Sequence, residues 1–145
     1  MTVESFLTSE EELQVVDAIR VAEKMTSGEI RVHLEDFKNP KGTFDRTKEV
    51  FHFLKMDTTE ARNGVIIYVA VNLKQFVIYG DKGIHEKVGD SFWQSTRDAI
   101  QAAFKKGDFA NGLTDGVIEV GRVLQTYFPW QHNDVNELPD EISKG

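Results

Sequence analysis

Thr26-Ser27-Gly28-Glu29, Arg62-Asn63 and Gly80-Asp81 have the residue types for chemistry, and the elements around them can bring them together. Glu86 and Asp90 follow closely in the chain. Carboxylate and amide oxygens, with loop carbonyls, are the donors that a hard cation such as Ca²⁺ or Mg²⁺ takes, at about 2.0–2.6 Å. Two or three carboxylates held together repel one another without such a cation. Glu29, Asn63, Asp81 and Glu86 are therefore candidate metal ligands, and Arg62 is a candidate partner for a phosphate or carboxylate. The same residues also have a plainer use. Asp81 would end a hairpin in a tight turn, Glu29 would pair with Arg62, and Asn63 would serve an Asn-Gly turn.

Convergence depends on the stretch Arg62–Gly83, RNGVIIYVAVNLKQFVIYGDKG. Gly64–Val71 is an apolar run suited to a strand covered on both faces. Asn72–Leu73 breaks it before Lys74–Tyr79, so an antiparallel hairpin is expected. Upstream, Thr8 or Ser9 with Glu11 or Glu12 forms a capping box, and Val15, Ile19 and Ala22 line one face of the helix that follows. Glu29–Glu35 alternates, with Ile30, Val32 and Leu34 on one face and Arg31, His33 and Glu35 on the other. That pattern reads as a half-buried strand near an edge. Helical spacing over Phe44–Met56 completes a strand–helix–strand crossover, so the first two strands should run parallel. Their starts then share a rim with the end of the third strand. The opposite rim, at the carboxyl ends of the parallel strands, would instead offer Glu35–Asp36 and Asn72.

Beyond the hairpin the spacing predicts helices over Gly83–Val88, Asp90–Lys106 and, capped by Asp108, on to Phe128. Gly112 and Gly116 share a face of the last helix and point to close packing. The chain reads as one domain over 1–130, with a polar, acidic tail over 131–145.

Several chemistries lack their residues. No GxxxxGK[ST], GxGxxG, GxSxG or HExxH occurs. His33, His52, His85 and His132 are scattered, and GDKGIH matches only half of a metallophosphoesterase motif. The absence of cysteine excludes disulfides and thiolate sites and fits a reducing compartment. A net charge of −7, with basic pairs such as Lys105–Lys106 isolated, argues against a nucleic-acid surface. The start has no signal-peptide pattern, and the longest apolar run, Val65–Val71, is strand length, so no membrane span is expected. A cytoplasmic monomer is the expectation.

AEKMTSGEIRV, RNGVIIYVA, VIYGDKGI and GDFANGL, taken in this order, resemble the TPM domain family, named for TLP18.3, Psb32 and MOLO-1. The closing NELPDEIS resembles the tails of short soluble bacterial members. The resemblance implies a three-layer α/β/α sandwich with a small mixed sheet of three or four strands. It also implies divalent cation binding, usually calcium, and an acid-phosphatase-like activity attributed to plant members. It assigns cation or site roles to Glu29 (GEI), Arg62 and Asn63 (RNG), Asp81 (GDKG) and Asp108 (GDF). The leading expectation is a Ca- or Mg-binding domain with a regulatory or protein-maintenance role beside a protein partner. One alternative is a weak metal-assisted phosphatase, with Asp81 on the cation and Arg62 on the phosphoryl oxygens. The other is an interaction adaptor using Trp93 or Trp130 and the tail.

Overall fold

The computed structural model describes residues 2–89, 93–130 and 137–145. The expected helical residues Asp90 and Phe92 and the first part of the tail lie outside them. A capping box opens α2 (Ser9–Glu23): the Thr8 hydroxyl accepts from the Glu11 amide at 3.1 Å, and the Glu11 carboxylate accepts from the Thr8 amide at 2.8 Å. A short helix, α1 (Val3–Phe6), precedes it. Three strands follow as expected: β1 (Glu29–Glu35), β2 (Gly64–Ala70) and β3 (Gln75–Gly80). α3 (Thr43–Phe53) and a 3-10 turn at Met56–Thr58 cross from β1 to β2. The chain continues through α4 (Lys82–Val88), α5 (Gln94–Lys105) and α6 (Phe109–Tyr127), and ends with β4 (Ser143–Lys144).

The strands form one mixed sheet in the order β3-β2-β1-β4. β1 and β2 run parallel, with Glu29 opposite Gly64, and β2 and β3 run antiparallel, with Val65 opposite Gly80. Ile30, Val32, Leu34, Val65, Ile67 and Val69 face α2, α5 and α6 in one core. Ile66, Tyr68 and Ala70 face Val50, Phe51 and Met56, on and just after α3, in a second. Helices thus cover both faces of the sheet, the three-layer arrangement expected. Gly116 and Gly121 make the close packing possible. A Cβ at Gly116 would meet Ile100 Cγ1 at 2.9 Å, and one at Gly121 would meet Ala22 Cβ at 2.8 Å. Among the described residues no helix is long and apolar enough to cross a membrane.

Three expectations change. β1 is buried along its whole length, polar face included, because β2 and β4 flank it and the terminal segment reaches Glu29 through the Glu137 amide. That segment packs on the sheet, where a solvated tail was expected. Trp93 is 3% exposed and part of the core, so it offers no adaptor surface, whereas Trp130 is 46% exposed.

Candidate functional site

Register alone brings the amino ends of β1 and β2 and the carboxyl end of β3 to one rim. Glu29 opens β1, Asn63 precedes β2 and Asp81 follows β3, and all three are buried. The rim is closed from the α6 side. The Phe128 carbonyl accepts from the Ser27 amide at 2.9 Å and from the Thr26 hydroxyl.

Asp81 is fully engaged. Arg62 Nε and Nη2 donate to its two oxygens at 2.7 and 2.9 Å, and the Lys82 amide donates at 2.7 Å as Asp81 caps α4. Arg62 takes a left-handed backbone (φ 51°), and its carbonyl accepts from the Gly83 amide at 2.9 Å. A Cβ at Gly83 would press on that carbonyl at 2.6 Å, so only glycine fits. The RNG and GDKG segments therefore clasp each other. Arg62 pairs with Asp81, so the expected Glu29–Arg62 pair does not form.

Glu29 and Asn63 are less completely answered. Glu29 Oε1 accepts from the Glu137 amide at 2.6 Å. Burial pushes the Glu29 carboxyl up to about 7, opposed by that amide and reinforced by the charges of Glu137 and Asp140. Asn63 donates through Nδ2 to the Ser27 carbonyl at 3.3 Å, and its own carbonyl accepts from the Glu29 amide at 3.2 Å. Its Oδ1 is buried without a hydrogen-bond partner. At the end of α2, burial, a hydrogen bond with Asp140 and the charges of Asp140 and Glu29 push Glu23 up to about 9. Glu23, Glu137 and Asp140 lie in stretches that resemble the family, AEKMTSGEIRV and NELPDEIS, but the resemblance assigns them no site role. They reach the rim through a helix end and the terminal segment, which is why sequence reasoning missed them.

The remaining candidates separate. Glu86 is exposed on α4. Asp108 is exposed at the start of α6, at the far end of this 19-residue helix from Phe128, about 28 Å away at helical rise. It makes no side-chain cap bond and accepts from Asn111 Nδ2 at 3.2 Å. Asp90 lies outside the described residues. Among the described residues no group of three or more His, Asp or Glu is arranged to hold a metal.

The opposite rim carries a second polar group. Glu35 accepts from Arg46 Nε at 2.6 Å and Nη2 at 3.0 Å, and from the Tyr68 hydroxyl at 2.7 Å. Burial alone would raise Glu35, but the hydrogen bonds from Arg46, Tyr68 and His33 outweigh it and hold the carboxyl at about 2. His33 is lowered, chiefly by burial, so its ring is neutral near pH 7. Nε2–H then donates to Glu35 at 3.1 Å, leaving Nδ1 to accept from the Ser143 hydroxyl at 3.0 Å. A cavity of about 520 Å³ opens over this network. Asn72, the other residue named for this rim, instead ties the Phe37 loop, accepting from its amide at 2.8 Å and donating to its carbonyl at 2.7 Å.

The TPM domain model matches residues 2–123. The solution structure of BA42 from the psychrophilic bacterium Bizionia argentinensis is similar at 59% identity and a TM-score of 0.92, covering 99% of each chain. An N-terminal domain from P. gingivalis shares the fold at 17% identity and a TM-score of 0.72, covering 89% of this chain and 84% of that one. The N-terminal domain of cg2496 from Corynebacterium glutamicum does so at 14% and 0.58, covering 90% and 84%. No curated protein matches. With its RNG and GDKG segments locked at one rim and the family model spanning most of its length, the chain belongs to the TPM domain family.

Proposed function

We propose that this TPM domain binds a divalent cation, Ca²⁺ or Mg²⁺, at the amino-end rim, and that the cation orders the rim for a regulatory or maintenance role beside a protein partner. The observation that carries the reading is Asn63 Oδ1, a buried oxygen with no donor, on the residue whose carbonyl holds the Glu29 amide. A hard cation accepts such an oxygen readily. The raised Glu29 and Glu23 carboxyls support it: no positive charge offsets Glu29, and Arg20, which also pairs with Asp140 at 3.6 Å, only partly offsets Glu23. Glu29 and Asn63 would hold the ion, with Glu23 and Asp140 adding negative charge around them. Asp81 has no such vacancy because Arg62 already neutralises it. The phosphatase alternative draws on that same pair and is correspondingly weaker. A cysteine-free chain suits a cytoplasmic setting.

Two-dimensional amide NMR of the metal-free chain, titrated with CaCl₂ and then MgCl₂, tests this. Saturable shifts centred on Glu29, Asn63 and Glu23 are expected, and they should vanish in the Glu29→Gln, Asn63→Ala double variant. An unchanged response in that variant, or no shifts at millimolar cation, overturns the reading. Asp81→Asn should keep the cation response while loosening the Arg62 loop.

A further inference from the structure

β3 is the outer strand of the sheet, and no strand pairs with its free side among the described residues. Donation from the Asp81 amide to the Gly64 carbonyl at 2.9 Å sets the phase of the hairpin ladder. By the alternation of antiparallel pairing, Gln75, Val77 and Tyr79 turn their backbone groups toward β2, and Phe76, Ile78 and Gly80 turn theirs outward. Open edges are usually blunted by charge, proline or a bulge. Gln75–Gly80, QFVIYG, contains no charged residue and no proline.

This edge lies along a groove. One cavity of about 900 Å³ runs beside Gln75 and Phe76, and a second of about 400 Å³ runs beside Phe76 through Gly80. Phe76 and Arg97 line both, so the two adjoin along the strand. The walls are the start of α3, with Thr43 and Phe44, and the exposed side of α5. Phe44, 53% exposed, stands edge-on to Tyr79 with ring centroids 6.0 Å apart, giving an apolar shelf over the strand. At the Gln75 end the groove meets Lys74, Lys105 and Lys106, all exposed, against a single carboxylate, Asp98, which is hydrogen-bonded to Gln94 at 2.9 Å. On a chain with a net charge of −7, this is a local reversal of sign.

We propose that the β3 edge is a docking site for an extended, acidic polypeptide segment that adds to the sheet as a fifth strand. Strand addition answers the outward backbone groups of Phe76, Ile78 and Gly80, while pockets beside the strand take alternate side chains. Antiparallel addition, the commoner pairing, brings the carboxyl-terminal half of the segment to Lys74, Lys105 and Lys106. The segment therefore carries its acidic residues there, with apolar side chains toward Phe44 and Tyr79. The site is distant in character from the Glu29 rim and does not depend on a cation.

The test uses the full chain and three fluorescein-labelled decapeptides of alternating valine and threonine. One ends in three glutamates, one in three lysines, and the third is the glutamate peptide N-methylated at alternate residues. The glutamate peptide should bind saturably, shifting the amides of Phe76, Ile78 and Gly80 and slowing their exchange. Lys105→Glu with Lys106→Glu, at the exposed carboxyl end of α5, should weaken it about tenfold and reverse the preference between the charged peptides. The N-methylated peptide should fail, because it cannot complete a ladder. Equal binding of the glutamate and lysine peptides, binding by the N-methylated one, or no binding overturns the proposal. So does sedimentation showing a concentration-dependent dimer with those amides perturbed, since the occupant is then a second copy.

Discussion

Glu35 shows how much one side chain can be asked to hold. Its two oxygens answer Arg46, Tyr68 and His33, and the Tyr68 ring is completely buried. Glu35→Ala leaves the Tyr68 hydroxyl without its acceptor and Arg46 without its charge partner. Arg46 reaches solvent, so the loss should be about 2–3 kcal/mol, below the cost of breaking a fully buried pair; urea unfolding measures it. The lowered Glu35 carboxyl also gives a pH signature. Its contribution is present above the ordinary value near 4.5 and is lost as pH falls from there through about 2. Glu35→Gln should therefore flatten the acid limb of the stability profile, and an unchanged limb would refute the assignment. Little of this was legible from sequence. Arg31, His33 and Glu35 alternate with apolar residues, the pattern of a solvated face, and its cover comes from distant parts of the chain, Arg46 on α3 and a terminal segment without periodicity. At the other rim Glu29, Asn63 and Asp81 were legible as neighbours. Their partners were not, because Arg62 chooses Asp81 through a left-handed turn that residue types do not announce.

Elements with a strong local signal came out as the sequence implied. The Thr8–Glu11 box starts α2, the crossover makes β1 and β2 parallel, and the short Asn72–Leu73 break makes the hairpin. β4 escaped because its two residues take their order from β1 and have no pattern of their own. Asp108 was grouped with the rim on motif resemblance alone, and the length of α6 separates them. The clasp between the Arg62 turn and α4 makes a prediction at this scale. Gly83→Ala should cost about 1–3 kcal/mol, as overpacking does, because the added carbon meets the Arg62 carbonyl and backbone cannot yield as a flexible side chain can. The Arg62 Nε–H resonance should move at the same time, reporting loss of the Asp81 pair. Thr8→Ala, which only removes a cap, should cost about 1 kcal/mol and leave that resonance in place. A Gly83→Ala protein of full stability would show that the clasp does not hold the rim.

Taken whole, the molecule sets opposite electrostatic demands at the two ends of β1, and the terminal segment touches both. The Glu137 amide binds Glu29 at one end, and Ser143 binds His33 at the other. Glu35 at the carboxyl end prefers to be ionised, whereas Glu23 and Glu29 at the amino end resist ionisation. A raised carboxyl contributes stability that is complete below its ordinary value near 4.5 and is lost as pH rises through its folded value. For Glu29 that loss runs to about 7, and for Glu23 to about 9. With EDTA present, thermal stability should therefore be greatest on the mildly acidic side and decline toward pH 9. Glu29→Gln should remove its own share of that decline, which ends near pH 7, and should draw the remaining decline below about 9, because the Glu29 charge helps to raise Glu23. Calcium should act in the opposite sense, because a cation favours the ionised carboxylates. Its stabilising effect must then grow with pH and flatten the profile. Melting curves from pH 5 to 9, in EDTA and in calcium, separate these cases. A profile that rises with pH in EDTA would contradict the crowding of Glu23 and Glu29. A decline that calcium leaves untouched would keep the crowding and remove the cation, returning the rim to a purely structural role.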